Sequence, residues 1–240
     1  MLDSTTTEGR VIAAALGLAA EKRWADITLV QIAERAGVTL VDLKNHFASK
    51  GEILTALSGL VDNEMLRRLP TRGPDLGARD ALFEVVMSRF DVLEPYKAAL
   101  RSIGKDVSFD PTRLPSLLTS QRWMLEAAGI SADGLDGGVR VTGLATVYAS
   151  VFRTWLDDDD AGLARTMAAL DRRLRRGEQA LQRADDVRRG FDRVTGALFG
   201  AMRSRSSRSS DVPPSTAPSS TPPVPPSPPP ASSPPTPASP

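Results

Sequence analysis

The sequence lacks cysteine, has a single histidine (His46), and only 5% of its residues are aromatic. Without cysteine the chain can form no disulfides, thiolate metal sites or cysteine nucleophile. One histidine per chain argues against a serine–histidine–aspartate triad and against a metal site built from several imidazoles. No catalytic motif favours an enzyme, and no cofactor is indicated.

Long apolar runs are also missing. No stretch approaches the roughly 18 consecutive apolar residues that a transmembrane helix needs, so no membrane span is expected. The first ten residues contain two acids, Asp3 and Glu8, and no continuous apolar core, which is not the pattern of a secretory signal. We therefore expect a soluble, cytoplasmic protein.

Proline is scarce except at the C-terminal end. Residues 211–240 hold 14 of the 19 prolines, among serine, threonine and alanine. Such a segment buries too little apolar surface to offset the entropy lost on ordering, so we expect residues 209–240 to form a disordered tail. The rest of the chain is long enough for a small domain and a larger one.

The net charge of +1 is unevenly distributed along the chain. Residues 1–50 carry six basic and six acidic side chains, residues 51–164 carry 12 and 17, and residues 165–208 carry 12 and 5. The positive segment therefore lies towards the C-terminal end. A DNA-binding element within the first 50 residues would bind weakly as a monomer, because affinity for DNA depends largely on neutralising phosphates.

Apolar residues recur at helical spacing along most of the chain, and alternating β-branched runs are scarce. This pattern predicts an all-α fold. The prolines outside the tail fall between helical segments or at their starts, where proline is tolerated. Helices are predicted near residues 7–22, 51–69, 77–92, 95–104, 112–128, 136–156, 160–183 and 186–203.

Three short motifs between residues 28 and 52 predict helix starts. TLVQ (28–31), TLVD (39–42) and SKGE (49–52) each place a hydroxyl three residues before an amide or acid, as in a capping box. Gly37, between the first two motifs, can take the left-handed conformation that ends a helix. The pattern favours a helix-turn-helix, and a helical hairpin of some other bundle is the alternative. The expected core of this unit is Val11, Leu16, Trp24, Ile32, Val38, Leu43 and Phe47.

The run TLVQIAERAGVTLVDLKNHFASKGEIL (28–54) resembles the N-terminal domain of TetR-type transcriptional regulators, and the resemblance extends from Gly9 to Leu60. It implies that residues 1–50 bind a double-stranded DNA operator, with a recognition helix near Thr39–Phe47 in the major groove. The phosphate contacts that it implies are Thr28, Lys44 and Lys50. The residues that it places near base edges or sugars are Thr39, Leu40, Val41, Asn45 and His46.

Two positions depart from the family pattern. Val41 stands where many members have a small residue, and Lys44 stands where many have an aromatic one. Asp42 is better explained as the cap partner of Thr39 than as a base-reading residue. For His46, packing beside Phe47 is an equal alternative to a DNA contact.

Residues 51–184 resemble the ligand-binding and dimerisation domain of the same family. The resemblance implies that the protein is a homodimer. It also implies a repressor whose DNA binding is controlled by an unidentified hydrophobic small molecule. Residues Phe83, Val86, Met87, Phe90, Trp123 and Leu144 are either cavity lining or plain core.

Two apolar stripes are expected at the subunit interface, with internal core as the alternative. They are Val141, Leu144, Val147, Val151 and Trp155 on one helix and Leu163, Met167, Leu170 and Leu174 on the next. The acids Asp157–Asp160, before the second of these helices, are best interpreted as helix-capping groups rather than metal ligands.

A second resemblance suggests another function. SRFDVLEPYKAALRSIGKD (88–106) and RTWLDDDDAGLARTMAALDRRLRRGE (153–178) are similar to TetR-like proteins related to the lipid-binding accessory protein of ubiquinone biosynthesis. That resemblance implies a bound lipid, no DNA binding, and peripheral membrane contact through a last amphipathic helix. Residues 185–208 fit such a basic helix, and a helix that merely caps the bundle is the alternative. Its membrane-facing residues would be Phe191, Val194, Leu198 and Phe199. We favour the regulator over the accessory protein.

Overall fold

The computed structural model describes residues 2–70, 76–106 and 114–183, which lie within one compact unit, Met1–Asp186. In these ranges the chain is helical and contains no β-strand, so the predicted all-α class is confirmed. Short 3-10 turns occur at Trp24–Asp26 and Glu94–Tyr96. The helices are α1 (Thr7–Glu21), α2 (Leu29–Ala36), α3 (Leu40–His46), α4 (Lys50–Arg68), α5 (Ala78–Leu93), α6 (Lys97–Asp106), α7 (Leu114–Ala127), α8 (Gly134–Leu156) and α9 (164–183).

Helices α1, α2 and α3 pack around a small apolar core, as the sequence predicts. Val38 is half-buried and packs against this core. A tight unit of this kind holds α2 and α3 at a set angle because their buried faces meet the same surface of α1. The buried members of the predicted set are Val11, Leu16, Trp24, Ile32, Leu43 and Phe47.

Helix α6 joins the first three helices to the rest of the unit. The Ser102 hydroxyl accepts from Trp24 N at 3.1 Å and donates to Lys22 O at 3.0 Å. The Asp106 carboxylate accepts from Ala25 N at 2.9 Å and pairs with Arg23 at 3.2 Å. The backbone before α2 is therefore held from outside the helix-turn-helix. A domain boundary at residue 50 stays a prediction of the sequence.

Helix α5 lies at the centre of the larger half, in contact with α4 and α7. Its Phe90 is fully buried and stacks on Tyr148 and Trp155 of α8, at ring-centroid distances of 5.5 and 5.3 Å. Phe152 completes this aromatic cluster at 6.4 Å from Phe90. Aromatic pairs at such distances add to the stabilisation that burial itself provides.

The two stripes predicted to form a subunit interface lie mainly inside the single chain, so that prediction was wrong for most of their residues. On α8 the stripe is buried apart from the half-buried Val147, and on α9 Met167 is 37% exposed while the others are buried. An apolar stripe at helical spacing is equally compatible with a core and with an interface. Here the fold uses it as core. The residues buried within the chain are Val141, Leu144, Val151, Trp155, Leu163, Leu170 and Leu174.

The chain before α9 is a capped turn, so this helix begins at residue 164 rather than near 160. The Asp158 carboxylate accepts from Thr166 N at 2.9 Å and from the Thr166 hydroxyl at 2.7 Å. The Asp160 carboxylate accepts from Ala164 N at 3.2 Å. These bonds confirm the predicted capping role for Asp158 and Asp160, whereas Asp159 pairs with Arg101 of α6. Leu163 has a positive φ of 50°, the reason the helix cannot start earlier.

The predicted amphipathic helix 186–203, with Phe191, Val194, Leu198 and Phe199, and the predicted tail 209–240 lie outside the described residues. Among the residues that are described, no helix has the length and hydrophobicity to cross a membrane.

Candidate nucleic-acid interface

Helix α2 begins and ends as the sequence predicts. The Thr28 hydroxyl accepts from Gln31 N at 3.2 Å, and Gln31 Oε1 accepts from Thr28 N at 3.2 Å, which completes a capping box. Lys22 also donates to Gln31 Oε1, at 2.9 Å. At the other end Gly37 is left-handed, with φ 63° and ψ 38°, and lets the chain turn sharply into α3.

The first turn of α3 is held by a capping box between Thr39 and Asp42. The Thr39 hydroxyl accepts from Asp42 N at 3.0 Å and donates to the Asp42 carboxylate at 2.6 Å, and the same carboxylate accepts from Thr39 N at 3.3 Å. These hydrogen bonds hold the pKa of Asp42 below its ordinary value, so the side chain stays ionised. Asp42 is therefore a cap, as predicted.

The outer face of α3 is fully available. Leu43 is buried against the helical core, whereas Leu40 and Val41 are 50% and 67% exposed. Lys44 and Asn45 are exposed as well, and within the described residues no ion-pair partner of Lys44 is found. All of the residues predicted to lie near DNA on this helix therefore face outwards.

His46 is exposed and has one ring nitrogen engaged. Its Nδ1 lies 2.9 Å from Asp42 O, and because a carbonyl only accepts, this nitrogen carries the proton. The Nε2 is not engaged by this contact. The ring is tilted against Phe47 with centroids 6.4 Å apart, so packing and an outward-facing nitrogen coexist.

Lys50 points back into the fold. Its ammonium donates to Trp24 O at 2.8 Å and to Ile27 O at 2.7 Å, and it lies 5.0 Å from the Trp24 ring centroid. Burial lowers the pKa of Lys50, and the charges of Asp106 and Asp26 oppose that change. Two of its three N–H donors are therefore used within the fold. The sequence did not reveal this inward role, because the carbonyls that bind Lys50 come from more than 20 residues away.

Helix α2 also carries an exposed valine that is not among the residues predicted from sequence. Val30 of α2 is 49% exposed, beside the Thr28 cap. The sequence signal for its exposure is its position in the helix, because the buried residues Ile32, Ala33 and Ala36 lie on the other face.

The third predicted capping motif, at the start of α4, is a variant of the capping box. The Ser49 hydroxyl accepts from Glu52 N at 3.2 Å, while the Glu52 carboxylate accepts from Ala48 N at 2.7 Å rather than from Ser49 N.

The residues predicted to line a ligand cavity are dispersed. Val86, Phe90 and Leu144 are buried in the core, and Phe83 and Met87 are half-buried. Trp123 is 52% exposed and so does not line an interior cavity, because α7 turns Ser120, Gln121, Met124 and Leu125 inwards instead. An open cleft of about 530 Å³ runs between α5 and α9, and of the predicted set Phe83 lines it.

A buried charged cluster lies where α4, α5, α7 and α8 meet. Arg89, 5% exposed, pairs with Asp62 and donates to Tyr148 Oη and to Ser58 Oγ, each at 3.0 Å. Ser120 donates to the other oxygen of Asp62 at 2.5 Å. The sequence signal was a charge at core spacing: Asp62 lies three residues before the buried Met65, and Arg89 lies three residues after the buried Val86.

Comparison with solved structures identifies the fold. The TetR transcriptional regulator from Nitrosomonas europaea ATCC 19718 superposes with a TM-score of 0.56 at 24% identity, over 70% of this chain and 96% of that one. A TetR transcriptional regulator from Rhodococcus sp. RHA1 gives 0.54 at 21% identity, over 70% and 93%. No protein-family model and no curated protein matches the sequence. The described helices have the fold of the TetR-type transcriptional regulators.

Proposed function

We propose that this protein is a dimeric, DNA-binding transcriptional regulator that places α3 in the major groove of an operator. The observation that carries the proposal is the outer face of α3, which follows a capped α2 and a left-handed Gly37 and turns every polar side chain outwards. A second helix presented in this way is the common form of major-groove recognition.

The proposed contacts divide into two groups. Phosphates would be bound by Lys44, by the hydroxyl of Thr28, and by the remaining N–H of Lys50. Base edges or sugars would be met by Thr39, Leu40, Val41, Asn45 and His46. Asn45 can form a bidentate pair with adenine, and the neutral His46 Nε2 can accept from an exocyclic amino group.

The proposed function requires a dimer, because few cations of a single subunit would face the DNA. Lys44 is exposed and unpaired within the described residues, whereas Arg35 is engaged with Glu21. Two subunits double the phosphate contacts, on which affinity depends. Since the predicted stripes are core, we place the interface on the outer face of α8. That face carries Leu135, 92% exposed, and Val139, 61% exposed.

Regulation would come from a hydrophobic small molecule that binds among α4, α5, α7 and α8 and shifts the dimer away from its DNA-competent spacing. Arg89 and Tyr148 would orient a polar group of that molecule. Gln121, 3% exposed, supports this location because its Oε1 has no hydrogen-bond partner among the described residues. We propose a repressor acting in the cytoplasm, without enzymatic activity.

The test uses the full chain and DNA selected by it from a random duplex pool. Binding of the selected duplex is measured at two salt concentrations for wild type, Lys44→Ala and the control Lys105→Ala on α6. We expect Lys44→Ala to weaken binding of all duplexes and to reduce the salt slope by about 1 for each lost phosphate contact. Lys105→Ala should leave both unchanged.

Equal affinity for selected and scrambled duplexes would contradict the regulator. The second resemblance would then be the better hypothesis, with a lipid-binding role and peripheral membrane contact through residues 186–203. Binding of the full chain to anionic vesicles, lost when Phe191 and Leu198 are replaced by serine, would support it.

A further inference from the structure

We infer that the first turn of α3 selects thymine, through contact of Leu40 and Val41 with the C5-methyl group in the major groove. The inference rests on the proposed DNA-binding function and adds the chemical class of base that this helix reads. It begins with two large apolar side chains that folding leaves exposed.

Leu40 and Val41 stand out within their own helix. They are 50% and 67% exposed, whereas Leu43 is 1% exposed and makes the contact that holds α3 to the core. Their side chains are not needed to complete that core. Two adjacent apolar side chains of this size bury area favourably when a partner covers them.

The polar groups of the same turn are partly engaged in the cap. Thr39 donates to Asp42 at 2.6 Å and accepts from its N–H at 3.0 Å, and the carboxylate of Asp42 also accepts from Thr39 N. The cap uses the hydroxyl proton of Thr39 and one carboxylate oxygen of Asp42, so Thr39 cannot donate to a base without breaking the cap. Beside this cap, the side chains of Leu40 and Val41 present DNA with apolar surface.

Only one apolar group is displayed by base edges in the major groove, the thymine methyl. Opposite Leu40 and Val41, guanine or cytosine would lose water from hydrogen-bonding atoms and gain no partner, which is unfavourable. Thymine also has an acceptor there, O4, but it additionally buries its C5-methyl group against the two side chains. The preference therefore comes from the favourable contact with the methyl group.

Helix geometry sets the distance between the apolar residues of the first turn and the polar residues that would contact bases. Asn45 and His46 lie one turn beyond Val41, roughly 6 Å further along α3, which corresponds to about two base pairs. We expect the half-site to contain a thymine step about two base pairs from the bases that Asn45 and His46 contact.

The experiment removes single methyl groups from the DNA. In the duplex selected by the full chain, each thymine is replaced in turn by deoxyuridine, symmetrically in both half-sites, and affinities are measured for wild type, Val41→Ala and Leu40→Ala. Val30→Ala is the matched control, because Val30 is also an exposed valine, at 49%, but lies on α2. Thermal melts confirm that each variant is folded.

We expect deoxyuridine at one or two positions to weaken wild-type binding about four-fold per methyl group, or roughly fifteen-fold for both half-sites. The same replacement should change binding of Val41→Ala or Leu40→Ala less than two-fold, and that of Val30→Ala as much as wild type. A specific site that lacks thymine there, or equal losses in all four proteins, would overturn the inference while leaving the regulator intact. Failure to select any site would overturn both.

Discussion

Lys50 illustrates how a residue predicted to bind DNA can serve the fold first. Its ammonium donates hydrogen bonds to two backbone carbonyls just before α2, Trp24 O at 2.8 Å and Ile27 O at 2.7 Å. Those carbonyls lie in the turn that positions the Thr28 cap. Loss of DNA binding on replacing Lys50 would therefore not by itself establish a phosphate contact, whereas Lys44, which is exposed, gives a cleaner test.

At this scale we predict that Lys50→Ala lowers the free energy of unfolding by about 2 kcal/mol, because two carbonyls lose a charged donor. The measurement is urea denaturation followed by circular dichroism. The matched control, Lys44→Ala, should stay within about 0.5 kcal/mol of wild type, since it removes only an exposed side chain. Equal stability of the two variants would show that the inward contacts of Lys50 contribute nothing.

At the scale of elements, helix starts in this chain are set by side chains next to them. Asp158, 1% exposed, caps α9 through Thr166, and its backbone oxygen accepts from Lys97 Nζ of α6 at 2.7 Å. The turn thus fixes α9 and ties it to the helix that also holds the backbone before α2. The buried Arg89–Asp62 pair likewise joins α5 to α4.

We predict that Asp158→Ala lowers the free energy of unfolding by about 1–2 kcal/mol at neutral pH, as loss of a helix cap does. The hydrogen bonds of Thr166 hold the folded pKa of Asp158 below its ordinary value. Its stabilisation is therefore complete above the ordinary aspartate pKa of about 4 and is lost as the pH falls below it.

Urea titrations at pH 7 and pH 3 check this, and the difference between wild type and Asp158→Ala should shrink at the lower pH. Asp157→Ala is the control, because Asp157 is an exposed neighbour in the same acidic run. A difference that is constant with pH would exclude an ionised cap.

At the scale of the whole molecule, the proposed binding of DNA by two α3 helices depends on how two subunits form a dimer. The outer face of α8 carries Leu135 and Val139, followed one and two turns later by the small residues Gly143 and Thr146. All four residues are exposed. Small residues let two helices approach closely, and large apolar ones supply the buried area.

We predict that sedimentation of the full chain gives twice the chain mass, and that Val139→Glu shifts it to monomer at the same concentration. The reason is the cost of burying an unpaired carboxylate in an interface. Val30→Glu on α2 is the control and should leave the mass unchanged. A wild-type monomer at micromolar concentration, or a Val139→Glu dimer, would count against this interface.

Local features of this protein could be predicted from sequence because they depend on residues within one helical turn. The capping boxes at Thr28 and Thr39 and the left-handed Gly37 all formed as predicted, and the helix segments of the described chain did so except for the later start of α9. Each is a contact between residues three or four positions apart. The buried set of the first three helices followed from the same periodicity.

The sequence by itself determined the all-α class, the caps of α2 and α3 and the glycine turn between them, since periodicity and caps act over short distances. The resemblance to a known family, rather than periodicity, implied which residues of α3 face outwards. Only the tertiary structure decided that Val151 and Trp155 are core and that Val139 is outside, because an apolar helix face suits either environment. It also decided the direction of Lys50 and the burial of Arg89, since their partners lie far along the chain. Such pairings depend on how the helices cross, which residue spacing alone does not specify.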